Sequence, residues 1–243
     1  MAKGIGQEFI ERTYYRYAKQ SDQMKGLPQP HLELDYDKSK PLVDLPAPTD
    51  IQVKDLNLRD AIENRRSIRQ YSEQFLTLGE ASWLLWSTQG VKEVIHVTLR
   101  NVPSAGARHA FETYLLVNRV EGLQPGLYRF LAIDHKLVEV ILEEEIANKI
   151  TEAAWKQVMV KKSAVTFIWT AVAYRMKWRY GERGYRYLHI DAGHVCQNLY
   201  LAAEAIDCGV CAIAAFQDEE LNRLLAIDGT EQFAIYMATV GKK

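Results

Sequence analysis

A chain of 243 residues, 48% hydrophobic and 25% charged, has the composition of a globular protein that can bury a large core without disulfides or structural metals. Its formal net charge of −1 excludes a general attraction to nucleic acid or to an anionic membrane, so any anion site must be local. Three cysteines, no apolar run long enough to span a bilayer and no signal-peptide core lead us to expect a cytoplasmic protein.

The first 50 residues differ in composition from the rest of the chain. Five of the seven prolines lie between residues 28 and 48, and proline fixes φ and removes a backbone donor. After a short helix predicted over residues 7–19, residues 1–50 are therefore predicted to form a proline-rich arm. Such an arm lies across the main body or a partner subunit, or else is mobile. Residues 51–243 are predicted to form the main domain.

Two helices are predicted at the start of the main domain. LNLRDAIENRR (56–66) places apolar residues on one helical face. TLGEASWLLWSTQG (77–90) opens with the capping-box spacing of Thr77 and Glu80 and closes with a glycine at the C′ position. The segment RRSIRQY (65–71) lies in the connection between these helices, where its backbone donors can remain free.

The remaining elements alternate irregularly. Strands are predicted at residues 111–117, 127–133, 137–142, 164–172 and 233–240, and helices at residues 145–159 and 191–209. The run AVTFIWTAV (164–172) is apolar throughout, which is typical of a strand buried on both faces. The last helix is predicted to end at Gly209. Because strands and helices follow no regular βαβ rhythm, the predicted fold class is α+β.

The segment RRSIRQY concentrates three arginines around Ser67. Guanidinium groups match phosphate oxygens bidentately, so Arg65, Arg66 and Arg69, together with the Ser67 hydroxyl, predict a phosphate site. The alternative is a solvated face in which the arginines pair with carboxylates between residues 60 and 73. Spacing alone leaves both interpretations open.

Two further motifs carry weaker signals. The turn Pro103-Ser104-Ala105 consists of small residues, which let a backbone approach a flat ligand closely, although a plain loop has the same composition. Cys208 and Cys211 form a C-x-x-C motif. Because we place this pair at the C-terminal end of a helix, where the dipole disfavours a thiolate, we interpret both as packing residues and predict no metal site.

A third motif, YRMKWRYGERGYRY (174–187), mixes tyrosines with basic residues. It is compatible with stacking on a single-stranded nucleic acid, with the wall of a pocket for a flat aromatic ligand, or with an ordinary surface segment. No nucleophile elbow or metal-ligand run is present in the sequence.

The order of these segments resembles the nitroreductase family of flavin enzymes, and most closely its SagB-type branch, which includes azoline dehydrogenases of peptide maturation. The resemblance covers about residues 54–241. It rests on RRSIRQY, VPSAGARHAFETYLLV (102–117), GLYRF (126–130), residues 180–216 and the closing MATVGKK. It implies a nitroreductase-like α+β domain with a central mixed or antiparallel sheet flanked by helices, which forms a homodimer with FMN at the interface.

The resemblance also implies a role for each segment. The arginine–serine segment would hold the FMN phosphate and ribityl chain, the Pro103 turn would approach from the other subunit, and backbone amides after the long helix would face flavin N5. A basic residue at the C-terminus would contact the phosphate. The cofactor-binding residues implied in this way are Arg65, Arg66, Ser67, Arg69, Pro103, Ser104, Ala105, Ala214, Ala215 and Lys243.

The activity implied by the resemblance is an FMN-dependent oxidoreductase that transfers hydride through flavin N5, from NAD(P)H to a small acceptor, by ping-pong kinetics. No side chain is assigned a catalytic role, and neither nucleic acid nor membrane is an expected partner. One alternative is a SagB-type azoline dehydrogenase that oxidises peptide heterocycles, although the Lys-Tyr pair of those enzymes is Arg179-Tyr180 here. An alternative of another class is a non-catalytic binder of single-stranded nucleic acid.

Overall fold

The computed structural model describes residues 3–243. In chain order the strands are Leu42–Asp44 (β1), Val91–Val94 (β2), Thr98–Arg100 (β3), Phe111–Val117 (β4), Gly126–Leu131 (β5), Lys136–Ile141 (β6), Val165–Val172 (β7), Cys208–Ile213 (β8) and Gln232–Lys242 (β9). The α-helices are Ile5–Arg12 (α1), Leu58–Asn64 (α2), Leu78–Gln89 (α3), Ile146–Ala153 (α4), Met159–Lys162 (α5), Ala173–Tyr180 (α6), Gly184–Glu204 (α7) and Asp218–Leu224 (α8).

Seven strands form one sheet in the order β1-β6-β5-β4-β7-β9-β8, and each neighbouring pair is antiparallel. β2 and β3 form a separate hairpin. The strands predicted at 127–133 and 137–142 are the hairpin partners β5 and β6. The α+β class, with a sheet flanked by helices, is therefore confirmed.

Two hydrophobic clusters cover the two faces of the sheet. In β7, Phe167 and Trp169 belong to the cluster that includes α3 and α7, whereas Ile168 belongs to the cluster that includes α4 and α8. This alternation is the period of two that a strand imposes on its side chains. The run 164–172 is apolar throughout because both of its faces are buried, as predicted.

The capping box of α3 is confirmed, because Thr77 Oγ1 accepts from the Glu80 amide (3.1 Å) and Glu80 Oε2 accepts from the Thr77 amide (2.9 Å). The helix ends before Gly90, as predicted. However, this glycine has φ −57° and is therefore not in the left-handed conformation expected of a C′ residue. Glycine is required there because a Cβ would lie 2.4 Å from the Trp86 ring.

Three predicted helix boundaries were wrong. α7 runs from Gly184 to Glu204, and Gly209 lies inside β8, where a Cβ would lie 2.5 Å from Ile68. The helix predicted at 145–159 divides into α4 and α5. The helix predicted at 7–19 ends at Arg12 and is followed by a 3₁₀ turn at Tyr15–Tyr17.

The backbone of the arm is hydrogen-bonded to a buried ion pair of the main domain. Arg175 Nη2 lies 2.6 Å from Glu112 Oε1, and both side chains are only 3% exposed. Glu112 also accepts from the Leu34 amide (2.9 Å), and Arg175 Nε donates to the carbonyl of His31 (2.8 Å). The arm therefore lies across the main body. None of the helices between residues 3 and 243 combines the length and apolar character needed to cross a membrane.

We expect Glu112→Gln to lower the free energy of unfolding by about 3 kcal/mol, because it leaves the Arg175 charge buried without a counter-charge. Urea denaturation followed by circular dichroism would measure the loss. Glu63→Gln is the matched control, since it removes an exposed pair with Arg59 and should cost less than about 1 kcal/mol. Equal losses in the two variants would contradict this account of how the arm is attached.

Candidate functional site

RRSIRQY runs along the outer edge of the seven-stranded sheet. Ser67 forms an isolated parallel bridge with Val210 of β8, and the Ile68 amide donates to the Val210 carbonyl (2.9 Å). The Tyr71 hydroxyl donates to the Ile68 carbonyl (2.7 Å), which holds the segment in a turn. Its location between α2 and α3 is as predicted.

The guanidinium groups of Arg65, Arg66 and Arg69 form no ion pair with any carboxylate among residues 3–243. The backbone amides of Arg66, Ser67 and Arg69 likewise donate to no described residue. Arg66, Ser67 and Arg69 are exposed, and Arg65 is half-buried. The segment thus presents cations and amide donors without an anion of its own.

The nearby carboxylates do not neutralise this cluster. Glu63 pairs with Arg59 (3.4 Å), and Glu73 pairs with Arg119 (3.2 Å). Asp60 takes part in none of the ion pairs that the structure describes between residues 3 and 243. The sequence left open whether these arginines pair with neighbouring carboxylates. The structure shows that, among the residues it describes, they do not.

The hydroxyl of Tyr200, a buried residue of α7, connects this segment to β8. It lies 3.0 Å from Ser67 Oγ, and it accepts a hydrogen bond from the Ala212 amide (2.9 Å). The Arg65 guanidinium lies 5.3 Å from the centre of the Tyr200 ring. One side chain therefore fixes the distance between the arginine segment and the end of β8.

Ala214 and Ala215 follow β8 directly and are exposed. Their backbone amides donate to no acceptor among residues 3–243. Because Ala212 is bonded to the same hydroxyl as Ser67, the structure brings Ala214 and Ala215 close to the arginine segment. The closing segment also meets the arginine segment within one chain, because the Tyr71 hydroxyl lies 2.7 Å from Thr239 Oγ1.

Pro103, Ser104 and Ala105 lie against a different part of α7. The Ser104 hydroxyl donates to Asp191 Oδ2 (2.6 Å), and the Ala105 amide lies 3.3 Å from both carboxylate oxygens. Asp191 and Tyr200 are nine residues apart, which is about 14 Å along a helix. Within one chain these residues are not brought to the arginine segment, so their approach from a second subunit stays a prediction.

The two C-terminal lysines already have carboxylate partners. Lys243 Nζ lies 2.6 Å from Glu204 Oε2, and the Lys242 ammonium pairs with Glu80 and donates to the carbonyl of Ile206 (2.8 Å). Lys243 would have to leave Glu204 to contact a phosphate at the arginine segment, so this assignment also stays a prediction.

The nitroreductase family model matches residues 62–242 of this chain, about three quarters of its length. The chain belongs to the nitroreductase family. A protein of Methanocaldococcus jannaschii assigned to the nitroreductases is 35% identical over 191 residues, which are 79% of this chain and 93% of that protein. The trifolitoxin-processing protein TfxB of Rhizobium leguminosarum bv. trifolii is 28% identical over 131 residues, which are 52% of this chain and 35% of TfxB.

Solved structures show the same fold. A protein from Anabaena variabilis described as a nitroreductase has a TM-score of 0.69 and 27% identity, over 84% of this chain and 42% of that one. A chain of the E. coli McbBCD complex with truncated pro-MccB17 has a TM-score of 0.60 and 17% identity, over 98% of this chain and 92% of that one. A Desulfovibrio desulfuricans structure in complex with FMN has a TM-score of 0.55 and 16% identity, over 77% of this chain and 87% of that one.

This nitroreductase-family chain spans less than half of TfxB and of the Anabaena chain. The likeness to TfxB agrees with a position near the SagB-type branch.

A loop that the sequence did not single out lies beside the Ala214–Ala215 segment. Trp155 and Lys156 both have left-handed backbone conformations, with φ of 54° and 58°, and Trp155 is 64% exposed. Gln157 Nε2 donates to the carbonyl of Ala215 (2.9 Å), which attaches this loop to the segment. Sequence reasoning missed it because the residues matched an amphipathic helix.

Tyr200 and Asp191 were missed for a different reason. Both lie in the helical pattern of residues 191–209, where nothing local distinguishes a tyrosine or aspartate that binds another segment from one that packs or faces solvent. Burial raises the pKa of Asp191, although the hydrogen bonds from Ser104 and Ala105 act in the opposite direction.

The cysteines of this nitroreductase-family chain are packing residues. Cys208 and Cys211 are free thiols of β8 that belong to the two opposite core clusters, so they cannot form one site. Burial raises the pKa of Cys208 to about 12. The prediction of packing stands, although its premise that the pair ends a helix was wrong. Residues 3–243 hold no cluster of three metal-ligating side chains.

The basic and aromatic segment at 174–187 binds the arm. Besides the buried Arg175, Trp178 Nε1 donates to the carbonyl of Leu27 (3.0 Å), and Arg186 Nη2 donates to that of Ile10 (2.7 Å). Much of its stacking and charged surface is therefore engaged within the chain, which disfavours the nucleic-acid interpretation.

We expect Tyr200→Phe to keep the ring beneath Arg65 but to lower the free energy of unfolding by about 1 kcal/mol, because the Ala212 amide loses its acceptor. Thermal denaturation and hydrogen exchange at the Ala212 amide would measure the effect. Tyr14→Phe is the control, since the described residues form no hydrogen bond with its hydroxyl. Unchanged exchange at Ala212 would show that Tyr200 does not fix this junction.

Proposed function

We propose that this chain is an FMN-dependent oxidoreductase that transfers hydride from NAD(P)H to a small acceptor through the flavin. The observation that carries the proposal is the cluster of Arg65, Arg66 and Arg69, whose guanidinium groups have no carboxylate partner while nearby carboxylates pair elsewhere. A cluster of this kind creates a local positive potential, and an anion that binds there gains charge-assisted hydrogen bonds. Family membership and the FMN complex of a structural relative support the choice of anion.

The residues present fit an FMN phosphate. A phosphate offers three acceptor oxygens, and the segment offers guanidinium groups, the Ser67 hydroxyl and free backbone amides at Arg66, Ser67 and Arg69. The Tyr200 hydroxyl contacts the Ser67 hydroxyl, and the Tyr200 ring packs against the Arg65 guanidinium. Both side chains are therefore partly ordered before a phosphate binds, which lowers the conformational entropy lost on binding.

When bound, FMN supplies the ring nitrogen that accepts and releases hydride. The chain's own contribution would be positional: the free amides of Ala214 and Ala215 would donate to the flavin ring, and the arginines would hold the phosphate. Pro103, Ser104 and Ala105 would come from a second copy, so the proposed enzyme is a homodimer. Reductant and acceptor would occupy one exposed face in turn, which predicts ping-pong kinetics.

Trp155 is proposed to contact the acceptor. Its indole is 64% exposed, its backbone is strained, and its loop is hydrogen-bonded to Ala215 through Gln157. Strained conformations persist where the surrounding structure demands them, often at ligand sites. A large exposed aromatic beside the free amides would stack on a planar acceptor.

Oxidation of a peptide heterocycle is the second candidate. The likeness to TfxB, which is named for trifolitoxin processing, favours it. The Arg179-Tyr180 pair opposes it, because an arginine does not give up its proton as a lysine does. Oxidation of an azoline-containing peptide, with no nitroaromatic or quinone reduction by NAD(P)H, would select this candidate.

We expect purified protein to be yellow and Arg65→Ala/Arg66→Ala to weaken FMN binding by more than about 30-fold, since truncating a charged partner costs about 2–5 kcal/mol. Flavin absorbance after gel filtration and fluorescence titration of apoprotein would measure retention and affinity. Arg59→Ala is the control, because Arg59 already pairs with Glu63. Unchanged retention would refute the phosphate assignment, and protein that cannot be reconstituted with FMN would refute the cofactor.

We expect Trp155→Ala to raise KM for a nitroaromatic or quinone acceptor about tenfold, whereas Trp155→Phe should retain most of the affinity, because stacking contributes about 1 kcal/mol beyond the buried area. Steady-state kinetics at matched flavin content would measure this. Val158→Ala changes an exposed apolar residue of the same loop and serves as the control. An unchanged KM would place the acceptor elsewhere.

A further inference from the structure

A cavity of about 330 Å³ lies between the arm and the segment that joins α6 to α7. Residues between 12 and 25 form one wall, and residues between 177 and 183 form the other. Neither wall contains a residue of the arginine segment or of the Ala214–Ala215 segment. The cavity therefore exists only because the arm is folded onto the main domain.

The lining of this cavity is positively charged. Lys25 is paired with Asp22 (2.9 Å) and Lys177 is within 3.9 Å of Glu182, so the charges of these four side chains sum to zero. The remaining lining cations are Arg12, Lys19 and Arg183. Three positive charges thus remain on the lining of a chain whose formal net charge is −1.

Two of these three cations have no carboxylate partner. Among residues 3–243, neither Lys19 nor Arg183 takes part in an ion pair, whereas Arg12 pairs with Glu8 (3.2 Å) outside the cavity lining. Burying an anion beside such groups exchanges water contacts for charge-assisted hydrogen bonds. The lining therefore favours an anionic ligand over a neutral or cationic one.

Arg183 is held in a fixed orientation. Its Nε donates to the Tyr187 hydroxyl (2.7 Å), its Nη1 donates to the carbonyl of Thr13 (2.6 Å), and its guanidinium lies 4.1 Å from the centre of the Tyr15 ring. Nη2 donates to no residue that the structure describes. A guanidinium that is already ordered loses little entropy when it binds an anion.

Aromatic rings complete the lining. Tyr14, Tyr17 and Tyr180 all line the cavity, and their π-faces and hydroxyls suit a planar ring that carries a polar group. The volume is at the lower end of the range for small-molecule pockets, about 300–1,000 Å³. It is too small for a whole dinucleotide or a folded polypeptide, but it suffices for one substituted ring.

We propose that this cavity binds a small aryl anion, an aromatic ring that carries a phosphate or carboxylate group. The ring packs among the tyrosines, and the anionic group lies between Lys19 and Arg183. Because the arm supplies one wall, binding of such a ligand also stabilises the docked arm. The proposal does not depend on flavin, since no lining residue belongs to the proposed flavin site.

Isothermal titration calorimetry on the full-length protein as purified would test the proposal. The probes are phenyl phosphate and benzoate, with inorganic phosphate and neutral benzamide as comparisons. We expect at least one aryl anion to bind about fivefold or more tightly than inorganic phosphate, and benzamide not to bind. Preference for phenyl phosphate or for benzoate identifies the anionic group. Binding of neither aryl anion, or equal binding of benzamide, would overturn the proposal.

Variants locate the bound probe. Lys19→Gln should weaken binding about fivefold, the factor that corresponds to about 1 kcal/mol for one exposed charge, and Tyr17→Leu should also weaken it. Arg223→Gln, on the distant α8, is the control and should leave affinity unchanged. Lys19 is preferred to Arg183 for this test because its ammonium holds no other segment. Unchanged affinity in both cavity variants, or loss of binding in Arg65→Ala/Arg66→Ala, would place the anion elsewhere and overturn the proposal.

Discussion

The arrangement of the candidate site depends on one hydroxyl group. Tyr200 accepts from the amide of Ala212 and contacts Ser67, so it joins the arginine segment to the end of β8, in addition to the bridge at Val210. Tyr200 is itself fixed by α7, which packs against α3 and the sheet. The position of the arginine segment is therefore determined by the hydrophobic core rather than by its own sequence.

α7 also fixes the distance between the two halves of the site. Asp191 holds the Ser104 turn and Tyr200 holds the arginine segment, and a rigid helix keeps these two attachments apart. Within one chain, the residues that hold these two segments are about 14 Å apart along α7. In the proposed homodimer, the Ser104 turn of one copy would lie next to the arginine segment of the other, so the proposed enzyme would need two subunits.

Features that depend on local physics could be predicted from the sequence. The capping box of α3 and the doubly buried run of β7 are examples, because both are determined by neighbouring residues. The extent of α7 could not be predicted, since residues 184–190 are polar enough to suggest a surface segment and are helical because they pack against the arm and α6. Gly209 was misassigned because the contact that requires glycine comes from Ile68, which is distant in sequence.

Contacts between residues distant in sequence also limited what could be predicted about the candidate site. The arginine segment was located correctly, but whether its charges were paired depended on Arg59 and Arg119 competing for the neighbouring carboxylates, which only the folded chain decides. The family resemblance supplied the order of the segments. It did not supply Trp155, whose proposed role rests on a loop conformation that interrupts an otherwise helical pattern.

One edge of the sheet is a very short strand, and the other is partly covered by a bridging segment. β1, part of the arm, pairs with β6 at one edge, and the bridge at Ser67 lies along β8 at the other. Uncovered edges are the usual starting points of intermolecular strand pairing. The arm and the arginine segment therefore also act against aggregation, and a preparation in which either is displaced would lose colloidal stability.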